Sequence, residues 1–262
     1  MQRSWSSGPG RKQHEPDDRT RSDQDHSACH RTPGFRTRCG GASVTLHPQG
    51  RTPVATFLLL ALVSGWGVVS VGNWFWLPTL LFAFLGLFLA WFFRDPERHS
   101  DAAPGAVLSG ADGRVIQIRQ LESCAWFEGP AVQVSVFMSP LNVHVNRASL
   151  AGTVVRVEYR PGAYLMAFNE KSSELNEAST LVLDVLDSRG MPRRIAQTQI
   201  AGFLARRIVG WVQPGQSLAR GERYGMIKLG SRMDHFLPAD ARIQVNLGDR
   251  VLAGNTQIGE LP

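Results

Sequence analysis

Val212-Gln-Pro-Gly-Gln-Ser-Leu-Ala-Arg-Gly221 and Val245-Asn-Leu-Gly-Asp-Arg-Val-Leu-Ala-Gly254 carry the same pattern twice, offset by 33 residues. Each copy reads V-x-x-G-x-x-(aliphatic)-x-x-G. Glycines at that spacing between short apolar segments predict strand, turn, strand, turn, because glycine enters positive-φ turns without steric cost. Segments upstream have the same texture. Gly113-Arg-Val-Ile-Gln-Ile118, Ala131-Val-Gln-Val-Ser-Val-Phe-Met138, Gly152-Thr-Val-Val-Arg-Val-Glu-Tyr159 and Leu181-Val-Leu-Asp-Val-Leu186 alternate or run β-branched, as strands do. Ile200 to Val212 reads as a further strand interrupted by Gly202 and Gly210, and the polar stretch Phe168 to Ser179 as a loop or a helical turn. The expected fold from Arg94 onward is a compact β barrel-sandwich.

The paired glycine turns resemble the half-barrels of lipoyl and biotinyl domains. Such domains present a lysine at the hairpin tip, and neither copy has one, so the repeat is read as architecture and not as a carrier arm.

Ahead of this region the chain changes character. Only 19% of the 262 residues are charged, against about 25% in an ordinary soluble domain. The deficit is local: Thr52 to Phe93 contains no charged residue. Val54 to Gly72 and Trp74 to Phe93 are two apolar runs, and about 20 residues suffice for a helix to cross the hydrocarbon core. Gly72-Asn73 is a plausible turn between them, and Trp74 and Trp76 stand where interfacial aromatics belong. Basic residues precede the pair at Arg51 and follow it at Arg94 and Arg98, which predicts a transmembrane hairpin with both ends in the cytoplasm. A shallow or re-entrant hairpin is the alternative that Pro78 leaves open.

Residues 1–52 hold 9 basic and 5 acidic residues and no apolar periodicity, and read as a disordered polar extension. They supply most of the net charge of +6. The 169 residues from Arg94 to Pro262 carry 19 Lys+Arg against 17 Asp+Glu, so no nucleic-acid partner is expected. Three cysteines, Cys29, Cys39 and Cys124, make no disulfide framework and fit a reducing compartment. His26, Cys29, His30 and Cys39 match no common zinc spacing, so no metal is expected. The organisation is thus an extension over 1–52, a membrane-anchoring hairpin over 53–93 and a catalytic domain over 94–262. The fold class is mainly β: a barrel-sandwich of lipoyl-like half-barrel repeats preceded by an N-terminal transmembrane helical hairpin.

Four clusters carry potential chemistry, and each has a plain structural reading beside the functional one. Ala111-Asp112-Gly113 puts a carboxylate at a strand start, where Asp-Gly is also a common turn. Ser139-Pro-Leu-Asn-Val-His144-Val-Asn-Arg147 sets one histidine in an apolar alternation. Arg206-Arg207 is either a phosphate contact or a solvated pair. Leu229-Gly230-Ser231-Arg232-Met233-Asp234-His235 contains a Gly-Ser that taken alone is only a turn.

In combination these segments resemble one family. Phe92-Phe-Arg-Asp-Pro-Glu-Arg98, Gly110-Ala-Asp-Gly-Arg-Val115, Met138-Ser-Pro-Leu-Asn-Val-His-Val-Asn-Arg147, Tyr159-Arg-Pro-Gly162, Asn169 to Glu177 and Tyr224-Gly-Met-Ile-Lys-Leu-Gly-Ser-Arg-Met-Asp234 follow, in order, the short-form phosphatidylserine decarboxylase proenzymes. The resemblance covers about residues 50 to 262. It implies self-cleavage between Gly230 and Ser231 into a β chain of residues 1–230 and an α chain of residues 231–262. Ser231 would attack the Gly230 carbonyl, and elimination and hydrolysis of the resulting ester would leave a covalent pyruvoyl group as the cofactor. That ketone would form a Schiff base with the serine headgroup of phosphatidylserine, take up the electrons released with CO₂ and yield phosphatidylethanolamine. With only Lys171 and Lys228 beyond Arg94, a pyridoxal phosphate lysine is not favoured.

By the same resemblance Asp112 and His144 assist Ser231, with His144 the proton donor to the carbanion. The long bacterial form carries two histidines three apart; here Arg147 stands at the second place, which leaves His235 open as a further acid/base group. Arg206, Arg207 and Lys228 are the candidates for the substrate phosphate. The implied partners are phosphatidylserine and the protein's own two chains as a heterodimer or a higher oligomer, at the cell (inner) membrane with the catalytic domain on the cytoplasmic side. An ether-lipid serine decarboxylase of the archaeal type and a non-catalytic membrane-tethered lipoyl-like adaptor are the rival readings; the second requires Gly230-Ser231 to stay intact.

Overall fold

The computed structural model describes residues 44–163, 175–202, 207–228 and 230–262. The expected extension up to residue 43, with His26, Cys29, His30 and Cys39, falls outside the described residues, as do Lys171, Arg206 and Leu229. The chain opens with β1 (Val44–Leu46), helix α1 (Pro48–Ser70), a 3-10 turn at Asn73–Phe75, helix α2 (Trp76–Phe92) and β2 (Arg94–Pro96). Then come β3 (Ala106–Leu108), β4 (Gly113–Leu121), β5 (Ala131–Met138), β6 (Val145–Arg147), β7 (Gly152–Arg160), β8 (Ala178–Leu186) and β9 (Pro192–Ala201). The last are β10 (Ile208–Gly210), β11 (Ser217–Leu218), β12 (Arg223–Ile227), β13 (Ser231–Pro238), β14 (Arg242–Ile243), β15 (Arg250–Val251) and β16 (Gln257–Glu260).

The two helices form an antiparallel hairpin. Pro48 at the first turn has no N–H to leave unsatisfied, and the His47 ring accepts from the Gln49 amide at 3.3 Å. Small residues let the helices approach: a Cβ on Gly86 would collide with Leu58, and Gly65 lies against Thr79. Pro78 is the third residue of α2, where it costs no helical hydrogen bond. The outward face of the pair is apolar all round, with Leu62, Val69, Leu77, Phe84 and Leu87 exposed. Both helices are long and apolar enough to cross a membrane, and an apolar surface of that extent suits lipid and not water. The hairpin starts earlier than the apolar runs suggest. Residues 44–52, read from sequence as extension, instead form β1 and the first turn of α1, because β1 pairs antiparallel with β2 and ties both ends of the hairpin together.

Beyond the hairpin, one curled eight-stranded sheet runs in the order β11-β7-β8-β9-β13-β5-β4-β15. The sequence repeat sits at its two edges. In the first copy β11 pairs with the start of β7, and in the second β15 pairs with the start of β4. All four repeat glycines have positive φ: Gly215 at 86°, Gly221 at 78°, Gly248 at 90° and Gly254 at 70°. The sheet curls until these edges meet, so that a Cβ on Gly254 would stand 3.5 Å from the Gly221 Cα. This is the half-barrel pattern expected from the repeat. Val132, Val134, Val136 and Met138 of β5 are buried with Leu181 and Leu183 of β8 and Met233 and Leu237 of β13 in one core, each aliphatic side chain contributing about 1.5–3 kcal/mol.

The strand β9 was not expected. Its centre reads Gln197-Thr-Gln199, without an apolar face, and the predicted strand over 200–212 ends up divided between the end of β9 and β10. The glutamines are buried because each has partners inside. Gln197 accepts from the Ser149 amide at 3.0 Å and donates to the Arg147 carbonyl at 3.1 Å, while Gln199 donates to Asn146 Oδ1 at 2.8 Å.

Candidate active site

Ser231 is the first residue of β13, opposite Met138 of β5 on one side and Ala201 of β9 on the other. Its side chain is fully buried, and the hydroxyl donates to Met138 Sδ at 3.3 Å. Gly230 precedes it at φ 65°, in the left-handed region that favours glycine. The Gly230 N–H donates to Nε2 of His144 at 3.4 Å. The dipeptide therefore lies where an irregular turn runs into a central strand, with an imidazole nitrogen beside it.

His144 is held from three directions. The turn Ser139–Asn142 is closed by Asn142 Oδ1, which accepts from both the amide and the hydroxyl of Ser139 at 2.9 and 2.8 Å. The Asn142 carbonyl takes the Nδ1 proton at 2.9 Å, which assigns the tautomer and makes Nε2 the acceptor. The Phe92 ring packs on the imidazole with centroids 4.4 Å apart. Burial pushes the His144 pKa down to about 4, with Arg94 acting in the same direction and the Asn142 carbonyl and Asp112 opposing. At neutral pH the ring is uncharged and ready to accept a proton.

Asp112 is near enough for its charge to act on His144, yet no hydrogen bond joins the two among the described residues. Its carboxylate is gripped by Arg98, with Nη2 to Oδ2 at 2.8 Å and Nη1 to Oδ1 as the second, shorter arm, and it accepts from the Ala253 amide at 2.8 Å. Arg98 is thereby turned inward, its side chain 8% exposed, and is not available to lipid head groups as the flanking-charge pattern suggests. Arg94 is likewise engaged, donating to the carbonyls of Trp91 and Leu141 at 2.8 and 2.7 Å.

Arg147, at the place of a second histidine in the long form, points elsewhere. It reaches Asp95 at 3.3 Å, the Pro96 carbonyl at 2.9 Å and the Gly221 carbonyl at 2.9 Å, and ties the segment after α2 to the barrel. His235 is also built into the frame. Its Nε2 accepts from the Gly110 amide at 2.8 Å, shorter than the 3.4 Å contact of His144 with Gly230, and its Nδ1 meets the Val134 carbonyl at 3.2 Å, so the ring is tied to backbone away from the Gly230-Ser231 bond. Full burial lowers its pKa to about 4. Lys228 lies beside the site, its Nζ 6.0 Å over the Phe93 ring and its amide donating to the Arg207 carbonyl at 3.3 Å. Arg207 is exposed, and Arg206 falls outside the described residues.

Sequence reasoning missed Phe92, Met138 and Asn142. The first reads as the end of an apolar run and the second as a core residue; only the Asn-x-His spacing of the third hints at a local carbonyl-to-imidazole contact.

The family model described as phosphatidylserine decarboxylase matches residues 85–259. The phosphatidylserine decarboxylase proenzyme of Magnetococcus marinus is 43% identical over 213 residues, covering 81% of this chain and 94% of its own. That of Symbiobacterium thermophilum is 46% identical over 187 residues, 71% of this chain and 85% of its own, and that of Syntrophotalea carbinolica 43% over 216 residues, 81% and 95%. The chain belongs to the phosphatidylserine decarboxylase family.

Proposed function

We propose that this chain is a proenzyme that cleaves itself between Gly230 and Ser231 and then decarboxylates phosphatidylserine to phosphatidylethanolamine at a membrane surface. The observation that carries the reading is the neutral Nε2 of His144 at the amide of a glycine that precedes a buried serine.

A serine hydroxyl needs a base beside it to act as a nucleophile. Rotation about the Ser231 Cα–Cβ bond takes Oγ off Met138 toward the Gly230 carbonyl carbon, and His144 Nε2 takes its proton. The new C–O bond forms, the Gly230–Ser231 C–N bond breaks, and the proton passes from the imidazolium to the Ser231 nitrogen. Loss of the Ser231 α-proton then expels the Gly230 carboxylate, and water converts the resulting enamine to a ketone with release of ammonia. Serine suits this sequence because one oxygen is first nucleophile and then leaving group. Gly230 suits it because its left-handed φ is one a glycine adopts without steric cost and no Cβ shields the carbonyl carbon.

The pyruvoyl ketone supplies an electron sink for the bond to the departing carboxylate. Residue 231 holds it at the base of β13, fixed by the pairing with β5 and β9. Around it His144 would hold or return a proton, Asp112 with Arg98 fixes the adjoining turn, and Lys228 and Arg207, joined through their backbones, are the candidates for an anionic headgroup. His235 serves as a strut between β13 and the Gly110 turn. The hairpin anchors the protein in the cell membrane, with Arg51 and Arg94 favouring the cytoplasmic side for the barrel. The mature enzyme is a heterodimer of residues 1–230 and 231–262.

Mass spectrometry of the purified protein together with a vesicle assay on phosphatidylserine tests this. Two chains, the smaller blocked at its N-terminus, and release of CO₂ are expected. Ser231→Ala and His144→Ala are expected to stay as single chains without activity. A wild-type chain of 28.8 kDa that remains whole in native membranes would refute the proposal.

A further inference from the structure

The membrane hairpin ends inside the site. Phe92, the last residue of α2, is 2% exposed, and its ring packs against His144 with centroids 4.4 Å apart, tilted by 37°. Phe93 closes on Phe92 edge-on at 5.0 Å and 88°, and the pair is packed with Val143, Val145 and Met226. Gly50 of α1 leaves the room for this, since a Cβ there would collide with the Phe93 side chain, at 2.3 Å from its Cβ and 2.4 Å from Cγ of the ring. The imidazole is thus held by the Asn142 carbonyl at Nδ1, which sets the tautomer, by the Gly230 N–H at Nε2 and by the Phe92 ring packed against it.

We infer that Phe92 is a positioning residue for His144, holding the imidazole with Nε2 toward the scissile dipeptide and away from water, so that the end of α2 is part of the self-cleavage machinery and not only an anchor. The inference rests on the reading of His144 as the base. An imidazole held at its two nitrogens still tips about the line joining them; a ring packed against it stops the tipping and removes solvent from one side. The charged groups about His144 are Arg94 from the segment after α2, Asp112 from the turn before β4, itself clasped by Arg98, and Lys228 after β12, over Phe93. None of these changes when Phe92 is cut back, so the loss of burial is what the variant reports. Burial is also the largest cause of the lowered His144 pKa.

The test uses the full chain, made in a cell-free system with phospholipid vesicles and shifted to buffers from pH 4.5 to 8.5, the cleaved fraction being followed on gels. Wild type is expected to cleave at a rate independent of pH down to about 5. In Phe92→Ala the ring is open to water and its pKa moves back toward about 6.5, so at pH 5.5 cleavage falls about tenfold below the same variant's rate at pH 8. Phe92→Leu keeps apolar cover but loses the flat face; it is expected to cleave several-fold more slowly at every pH, with its acid limb within about one unit of wild type. A uniform slowing of Phe92→Ala with the wild-type acid limb would mean mere junction packing and overturns the inference, as would wild-type rates in both variants. If Phe92→Ala does not fold, as judged by protease resistance, Phe92→Leu decides: a wild-type rate at pH 8 overturns the inference. His144→Ala run in parallel separates the two levels, because cleavage there at the wild-type rate removes the base reading itself, whatever Phe92 does.

Discussion

Removing Arg98 isolates the energetics of the turn that carries Asp112. The guanidinium holds both oxygens of the Asp112 carboxylate and also donates to the Ala253 carbonyl at 2.7 Å. The two side chains are 8% and 5% exposed. In Arg98→Ala the carboxylate stays buried with one remaining partner, the Ala253 amide. Breaking a buried ion pair by removing one member costs about 3–5 kcal/mol, because the other charge is left uncompensated. At about 2–4 °C per kcal/mol for a domain of this size, the thermal midpoint falls by roughly 6–20 °C. The measurement is best made on the Ser231→Ala chain in detergent, so that one covalent chain unfolds. A double variant Arg98→Met, Asp112→Asn removes both charges while filling the space, and is expected to recover at least half of the loss. The reasoning fails if Arg98→Ala costs less than about 1 kcal/mol, or if the double variant loses the sum of its two singles.

Further outcomes follow from the same geometry. His144 and His235 are both neutral when folded, with pKa values lowered to about 4 against about 6.5 unfolded. Between those pH values the unfolded chain binds the extra protons, so stability is whole above pH 6.5 and falls as the pH drops, by up to about 1.4 kcal/mol per unit for each ring. Urea midpoints of the Ser231→Ala chain at pH 7.5, 5.5 and 4.5 check this, and a flat profile is incompatible with two buried neutral rings. Glycines at the site separate by cause. A Cβ on Gly230 meets nothing nearer than Pro140 Cγ at 3.9 Å, so Gly230→Ala costs only its left-handed φ, about 1–2 kcal/mol, and still folds. A Cβ on Gly113 would stand 2.0 Å from the Phe137 carbonyl oxygen, so Gly113→Ala is expected to block folding, and a soluble, protease-resistant Gly113→Ala barrel would show that the sheet yields there.

What the sequence made legible was whatever a local rule governs. The four repeat glycines were readable because positive φ is a property of one residue, and all four adopt it. The hairpin was readable because lipid selects composition over a long run. What stayed hidden depends on partners far apart in the chain. Nothing local separates Arg98, folded onto Asp112, from Arg94 at the rim, since both follow the apolar run. Strand β9 was hidden because its glutamines are buried by hydrogen bonds to Arg147, Ser149 and Asn146, and a pattern reading counts glutamine as exposed. His235 stays open as an acid/base group when read from sequence; a strand sends residues 231 and 235 to the same face about 13 Å apart along its length, where His235 meets backbone partners of its own.

If the chain breaks itself between Gly230 and Ser231 as proposed, the topology keeps the piece in place. A cut between 230 and 231 frees one end of β13, which lies in the middle of the eight-stranded sheet. Its ladder runs from Ser231 to Pro238 against β5 and from Ser231 to Phe236 against β9, so both neighbours grip the newly made terminus from its first residue. Further along, β15 closes the sheet edge against β4 and β16 pairs with β3, which ties the segment at two more places. Its second strand residue, Arg232, is fully buried and held by Asp234 at 2.6 Å, Gln117 at 2.7 Å and Ser135 at 2.8 Å. Withdrawal of the small chain would therefore strand an arginine's partners in the interior as well as open the core. Bond scission at an irregular glycine would relieve a turn while the residue on its far side stays locked in register, and that asymmetry would keep residue 231 in place as its Cα becomes the ketone carbon and its side chain a methyl group.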